Sequence, residues 1–134
     1  MLTDLGDGLA LAVKNVAANG FDGDTQPTVA VKPLLWGAGV EAQVVPELPA
    51  SIVVASDVVY NAEAAQELAT TLGVLCGPKT VCLLGFRNRC SAAAVRTFFD
   101  ALQSVGITSA AVPNEDLHPA YQSEDAYIMK LTKA

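Results

Sequence analysis

Three polar side chains directly follow a short apolar segment near the middle of this sequence. Ser56, Asp57 and Tyr60 come after residues 52–55, which have the composition of a buried strand. In parallel α/β folds, ligands bind at the carboxyl ends of the strands. A carboxylate there can hold an amine or an amino-acid group, and an aromatic ring can form a wall of its channel. The structural alternative is that Asp57 caps the next helix and Tyr60 packs on it.

Two further residues have chemistry that suits a bound nucleotide. Asp4 ends a short apolar segment, and acids at the ends of such strands commonly accept the ribose hydroxyls of a cofactor. Trp36 is the only tryptophan, it precedes Gly37, and its flat ring can lie against an adenine. Each has an alternative, because Asp4 can be a helix cap or a surface acid and Trp36 can fill the core.

The elements that must position these residues alternate between strands and helices. Apolar residues at helical spacing predict three helices, with Asp7, Asn61 and Ser91 as the residues that cap them. Strands are predicted near the start of the chain and over residues 28–31, 52–55, 80–86, 109–112 and 126–131. Residues 39–49 are predicted to form a surface connection. This order predicts one α/β domain over residues 1–134, with a Rossmann-like, mostly parallel sheet.

Two features of the strands refine this expectation. The segments 52–55 and 80–86 are continuously apolar, which is typical of strands covered on both faces. The last segment alternates between apolar and polar residues more regularly, which favours an antiparallel position beside the other strands.

Composition excludes several classes of function. The net charge of −6 disfavours a general nucleic-acid or anionic-membrane surface and suits a basic protein partner. The three cysteines, Cys76, Cys82 and Cys90, are odd in number and indicate reduced thiols. No secretory leader or membrane-length apolar run is present, so we expect a cytoplasmic or nuclear protein. His118 is the only histidine, and we expect no metal site.

Several segments together carry a resemblance to a known family. They are TDL, KNVAANG, LLWG, ASDVVY, VCLLGFRNR and FFDAL, in that order along the chain. A chain with these segments resembles the seven-strand S-adenosylmethionine-dependent methyltransferases, and more narrowly the branch that methylates lysine side chains of non-histone proteins. The most specific elements are the acid-x-x-aromatic motif at 57–60 and the Leu-x-Trp-Gly motif at 34–37.

The resemblance implies a role for each candidate residue. Asp4 would hold the ribose of S-adenosylmethionine, Leu5 and Trp36 would border its adenine, and Ser56 would contact the cofactor. Asp57 and Tyr60 would line the channel of the substrate lysine, and the partner would be a basic or lysine-presenting protein. The alternative function is that of a catalytically inactive, methyltransferase-like interaction module.

The chain departs from this family at its beginning. The family's first strand and glycine-rich turn would lie before Leu2, so we expect a class I methyltransferase fold that is truncated at its N-terminus. In that fold the first strand lies between the strand ending at Asp4 and the strand before Asp57. We therefore expect two exposed strand edges, which pair with each other or with another chain, for example in a homodimer.

Overall fold

The computed structural model describes residues 1–23, 27–44, 48–87 and 91–134. The strands within these ranges are β1 (Leu2–Asp4), β2 (Val31–Pro33), β3 (Ile52–Ser56), β4 (Val81–Arg87), β5 (Ile107–Ala111) and β6 (Ala126–Lys133). The helices are α1 (Asp7–Ala18), α2 (Val40–Val44), α3 (Ala62–Leu75) and α4 (Ala92–Ser104), and two short 3-10 helices, Asn114–Asp116 and Pro119–Tyr121, precede β6. The predicted α/β order is confirmed. The prediction that residues 39–49 form only a surface connection is wrong, because helix α2 lies within this range. Cys90 lies outside the described residues.

The described strands form two separate sheets. Strands β1 and β2 pair in parallel, with Leu2 opposite Val31. The other four form one sheet in the order β3, β4, β6, β5. Strand β3 is parallel to β4, and β6 is antiparallel to both of its neighbours, which confirms the expectation for the last strand. Within the described ranges β1 and β3 do not pair with each other, so each keeps one open edge.

The main core lies between the four-stranded sheet and the pair of helices α3 and α4. Phe98 of α4 and Leu72 of α3 are fully buried together with Leu84 of β4. Side-chain caps start both helices as predicted, because Asn61 accepts a hydrogen bond from the Ala64 N–H and Ser91 accepts one from the Ala94 N–H. The packed helices thereby hold β3 and β4 in place.

Helix α1 begins differently from the prediction. Its N-cap residue is Gly6, which has a positive φ of 52° and no side chain to make a capping bond. Asp7 is the first helical residue and supplies a negative charge to the first turn, where the helix dipole favours it. The prediction that Asp7 caps this helix is therefore wrong. Helix α1 packs on β1 and β2 and so belongs to the smaller sheet.

Within the described residues, the β3 edge of the four-stranded sheet is uncovered on the face opposite α3 and α4. Ile52 and Val54 are 67% and 73% exposed, while the alternating Val53 and Ala55 pack against the core. The prediction that both faces of this strand are covered is wrong for the described residues, because its two helical neighbours lie on the same side. None of the helices in the described ranges has the length and apolar composition needed to cross a bilayer.

Candidate functional site

A pocket of about 300 Å³ lies where the carboxyl ends of β1 and β3 approach each other. Leu5, which follows β1, and Tyr60, which follows β3, line this pocket together with Trp36, which follows β2. The remaining lining residues are Leu35, Asn61, Glu63, Ala64 and Glu67. The fold thus brings together three of the six residues that the sequence singled out, although they are widely separated along the chain.

Trp36 serves both the core and the pocket. Its half-buried ring packs against the buried clusters around α3 while it also lines the cavity. The ring centroid lies 6.2 Å from that of Tyr60, and the two planes are inclined by 39°. This separation is within the range of favourable aromatic pairs. The two interpretations of Trp36 are therefore compatible, since the ring contributes both to the core and to the lining of the pocket.

A polar contact between the Trp36 segment and helix α3 sets the position of this wall. The backbone N–H of buried Gly37 donates a hydrogen bond of 3.0 Å to the Thr71 hydroxyl, which itself donates to the Glu67 carbonyl at 2.8 Å. Gly37 has a φ of 101°, and a Cβ there would lie 3.2 Å from Cγ of Glu67. Glycine is needed at this position because other residues avoid that backbone conformation and would crowd α3.

Helix α2 holds the other side of the same segment. The Gln43 side-chain oxygen accepts a hydrogen bond of 2.8 Å from the Leu35 N–H, and its amide nitrogen donates one of 3.0 Å to the Leu35 carbonyl. One side chain thus satisfies both backbone groups of a residue that lines the pocket. Gln43 was not predicted from the sequence, since its role depends on a contact across eight residues rather than on a recognisable motif.

Asp4 lies immediately before the pocket-lining Leu5 and is exposed. One of its carboxylate oxygens accepts a hydrogen bond of 2.7 Å from the Leu5 N–H. A Cβ at Gly8 would lie 2.5 Å from Cγ of Asp4 and 2.8 Å from Oδ1, so only glycine leaves room for the carboxylate. The N-cap of α1 is Gly6, and the alternative in which Asp4 caps that helix is therefore not confirmed.

Asp57 occupies an unusual backbone conformation at the end of β3. It is the only non-glycine residue with a positive φ, 53°, among those that the structure describes. Aspartate tolerates this left-handed conformation better than most residues do, although the conformation is still strained. Its N–H donates a hydrogen bond of 2.9 Å to the Gly85 carbonyl, which holds the turn against β4. Since Asn61 caps α3, the alternative in which Asp57 caps this helix is wrong.

Ser56 and Asp57 are exposed at the end of β3 and do not line the pocket itself. The pocket wall near them comes from Tyr60 and from the first turns of α3. Two carboxylates of this helix, Glu63 and Glu67, line the cavity and share one face because residues four apart lie one above the other. No lysine or arginine is among its lining residues in the described part of the chain. The site is therefore an aromatic pocket with a negatively charged side.

The chain belongs to the lysine methyltransferase family, whose family model matches residues 1–105. The matched range contains every predicted site residue and all of the residues that line the pocket. A search of curated proteins returns no match to the chain. The match confirms the predicted family and its α/β fold class, while the roles assigned to individual residues stay predictions.

Proposed function

We propose that this protein transfers methyl groups from S-adenosylmethionine to the side-chain amine of protein lysines. The observation that carries the proposal is the meeting of Leu5, Trp36 and Tyr60 at one pocket, within a chain of the lysine methyltransferase family. When bound, the cofactor supplies an activated methyl group on its sulfonium. The protein must then hold the cofactor, align the amine and keep water away from both.

The residues of the pocket suit the adenosine part of this cofactor. Trp36 offers an aromatic face and Leu5 an apolar contact to a flat base, while the carboxylate of Asp4 can accept hydrogen bonds from ribose hydroxyls. The space that Gly8 leaves for this carboxylate supports the assignment, because a side chain there would displace it.

The acidic and aromatic residues suit an approaching lysine. Glu63 and Glu67 make the surroundings of the pocket negative, which attracts a lysine-presenting protein at long range, and the exposed Tyr60 ring can contact an ammonium group through its face. Methyl transfer requires the neutral amine, so the lysine ammonium must release its proton to bulk water before its lone pair can accept the methyl group. In this proposal Asp57, which lies beside the pocket at the end of β3, would accept a hydrogen bond from the amine, and Tyr60 would form a wall of the lysine channel.

The test is methyl transfer from labelled S-adenosylmethionine to lysine-containing peptides, with arginine-containing peptides of the same charge as the control. We expect label on lysine Nζ, located by fragmentation mass spectrometry, and a loss of at least about tenfold in Tyr60→Ala. Tyr121→Ala is the matched control, because Tyr121 is 78% exposed and does not line the pocket. Label on arginine, or equal losses in the two tyrosine variants, would contradict the proposal.

A further inference from the structure

Two cysteine side chains meet at the end of the four-stranded sheet that is farther from the candidate pocket. Cys76 follows α3 directly and Cys82 is the second residue of β4, and both are buried and free of disulfide bonds. The Cys82 thiol donates a hydrogen bond to the Cys76 sulfur, so the two sulfur atoms are in contact. Neither residue lines the pocket or takes part in the proposed methyl transfer.

A tight turn between the two cysteines holds them close together. The Gly77 N–H donates a hydrogen bond of 2.8 Å to the Thr80 hydroxyl, and the Thr80 N–H donates one of 3.0 Å to the Gly77 carbonyl. The same hydroxyl donates a hydrogen bond of 2.6 Å to the Ala50 carbonyl, in the segment before β3. The proximity of the cysteines therefore follows from the backbone of this turn as well as from their side chains.

A lysine of the last strand lies beside the pair. Leu131 of β6 is opposite Cys82 in the sheet, and Lys133 shares its face because side chains two residues apart in a strand point the same way. The Lys133 ammonium donates a hydrogen bond to the Gly73 carbonyl in the last turn of α3. The hydrogen bond from Cys82 and, to a smaller extent, the charge of Lys133 lower the pKa of Cys76, while burial opposes them.

The two thiols are chemically unequal. The hydrogen bond between them, together with burial, raises the pKa of Cys82. Because the thiolate is the nucleophile, Cys76 is the member that reacts with an oxidant, and Cys82 is the second thiol held in contact with it. Cys76 is 4% exposed and Cys82 is 1% exposed, so the oxidant must be small. Hydrogen peroxide, which is little larger than water, meets this requirement.

We propose that Cys76 and Cys82 are a site of reversible oxidation, at which hydrogen peroxide converts the two thiols into an intramolecular disulfide. The Cys76 thiolate attacks one peroxide oxygen, an S–O bond forms as the O–O bond breaks, and the leaving hydroxide takes up the proton that Cys76 released. The Cys82 sulfur then attacks the Cys76 sulfur of this sulfenic acid. The S–S bond forms as the S–O bond breaks, and the hydroxide leaves as water with the Cys82 proton. Two electrons thus pass from the two thiols to one peroxide, which becomes two waters.

The test is treatment of the folded full chain with hydrogen peroxide, followed by blocking of the remaining thiols with N-ethylmaleimide and digestion with trypsin. Trypsin cleaves after Lys79, between the two cysteines, so the disulfide is detected by mass spectrometry as two linked peptides. We expect this link to form while circular dichroism shows that the chain stays folded, and we expect dithiothreitol to reverse it.

Variants of the two cysteines separate their roles. In Cys82→Ala, oxidation of Cys76 should stop at the sulfenic acid, which dimedone traps, because the second thiol is absent. In Cys76→Ala, loss of the Cys82 thiol should be at least about tenfold slower than in the wild type, because the more reactive thiolate is gone. Equal rates of loss in the wild type and in Cys76→Ala would contradict the assignment of Cys76 as the attacking residue.

The role of Lys133 is tested by the pH dependence of the oxidation rate. Lys133→Gln removes the positive charge beside Cys76, so the profile should move to higher pH, whereas Lys133→Arg keeps the charge and should leave it in place. Lys130→Gln is the matched control, because it removes an equal charge from the same strand but, three positions away, from its other face. Equal profiles for Lys133→Gln and Lys130→Gln would contradict this role.

The chain unfolded in urea is the reference for the pairing itself. There the contact between the buried thiols is lost, and oxidation should give a mixture of pairings that includes Cys90, the third cysteine of the chain. Three results from the folded chain would overturn the proposal. They are thiols at positions 76 and 82 that stay free under conditions that oxidise the unfolded chain, sulfinic acid on Cys76 without linked peptides, and the same mixture of pairings as in urea.

Discussion

The hydrogen bond between Gly37 and Thr71 is the contact through which helix α3 positions the pocket wall, and Thr71→Val tests it. Thr71 is only 1% exposed and Gly37 is buried, so the variant leaves a buried N–H without its acceptor. Such a loss costs about 1–3 kcal/mol. Replacing the buried hydroxyl by a methyl group returns up to about 0.8 kcal/mol of apolar burial. The net expected decrease in the free energy of unfolding is therefore between about 0.2 and about 2 kcal/mol.

Thr70→Val is the matched control for this prediction. Thr70 lies on the same helix, and its hydroxyl donates only to the Gln66 carbonyl one turn earlier. Hydrogen bonds from a side-chain hydroxyl to a carbonyl of the same helix contribute little to stability. We therefore expect Thr70→Val to change the free energy of unfolding by no more than about 0.5 kcal/mol. Urea unfolding measures the free energy of unfolding of both variants. For a chain of this length, each kcal/mol of difference in that free energy corresponds to roughly 4 °C of melting temperature. In Thr71→Val, amide exchange at Gly37 should also accelerate.

A measurement of S-adenosylhomocysteine binding tests whether the hydrogen bond between Gly37 and Thr71 also positions the pocket wall. Thr71→Val should weaken binding, because Trp36 precedes Gly37 and moves with it, whereas Thr70→Val should bind as the wild type does. Equal stability of the two variants would refute the reasoning about the buried N–H. Normal binding by a destabilised Thr71→Val would show that the contact stabilises the fold without positioning the wall.

Three further predictions concern single positions. Gly8→Ala should weaken S-adenosylhomocysteine binding in calorimetry without lowering stability, because the added methyl group displaces the exposed Asp4 carboxylate while alanine improves helix propensity. A loss of stability with intact binding would contradict this prediction. In urea unfolding, Gly37→Ala should destabilise the protein by about 1 kcal/mol more than Gly39→Ala does. Both glycines have a positive φ, but only at Gly37 would an added Cβ meet α3. Equal losses of stability in the two variants would count against this prediction. The hydrogen bond between the buried thiols lowers the pKa of Cys76 and raises the pKa of Cys82. Iodoacetamide should therefore modify Cys76 first as pH rises. Mass spectrometry that shows Cys82 modified first would contradict this prediction.

Local signals in the sequence were sufficient for several features. Asn61 and Ser91 start their helices because a capping bond needs only a polar side chain and an N–H three residues later. The acid and aromatic residue of the 57–60 motif were placed after a strand because a short apolar run ended there. In each case the interaction or the pattern is contained within a few consecutive residues.

Features that depend on distant contacts were not predictable in this way. Helix α2 has only five residues, too few for a periodic pattern, and Gln43 ties it to a residue eight positions away. The apolar run of β3 could not reveal which of its faces is covered, because that depends on where α3 and α4 pack. The acidic side of the pocket was missed for the same reason. Glu63 and Glu67 lie on a helix surface, and only the fold brings Trp36 opposite them.

The most direct test of the proposed function is calorimetric titration of the purified protein with S-adenosylhomocysteine, repeated with Asp4→Ala. Asp100→Ala, which removes an equal charge from α4 away from the pocket lining, is the matched control. We expect saturable binding that Asp4→Ala weakens at least about tenfold, the equivalent of about 1.4 kcal/mol, and that Asp100→Ala leaves unchanged. A folded protein that binds no S-adenosylhomocysteine, or that binds it equally well without the Asp4 carboxylate, would contradict the assignment of this pocket to the cofactor.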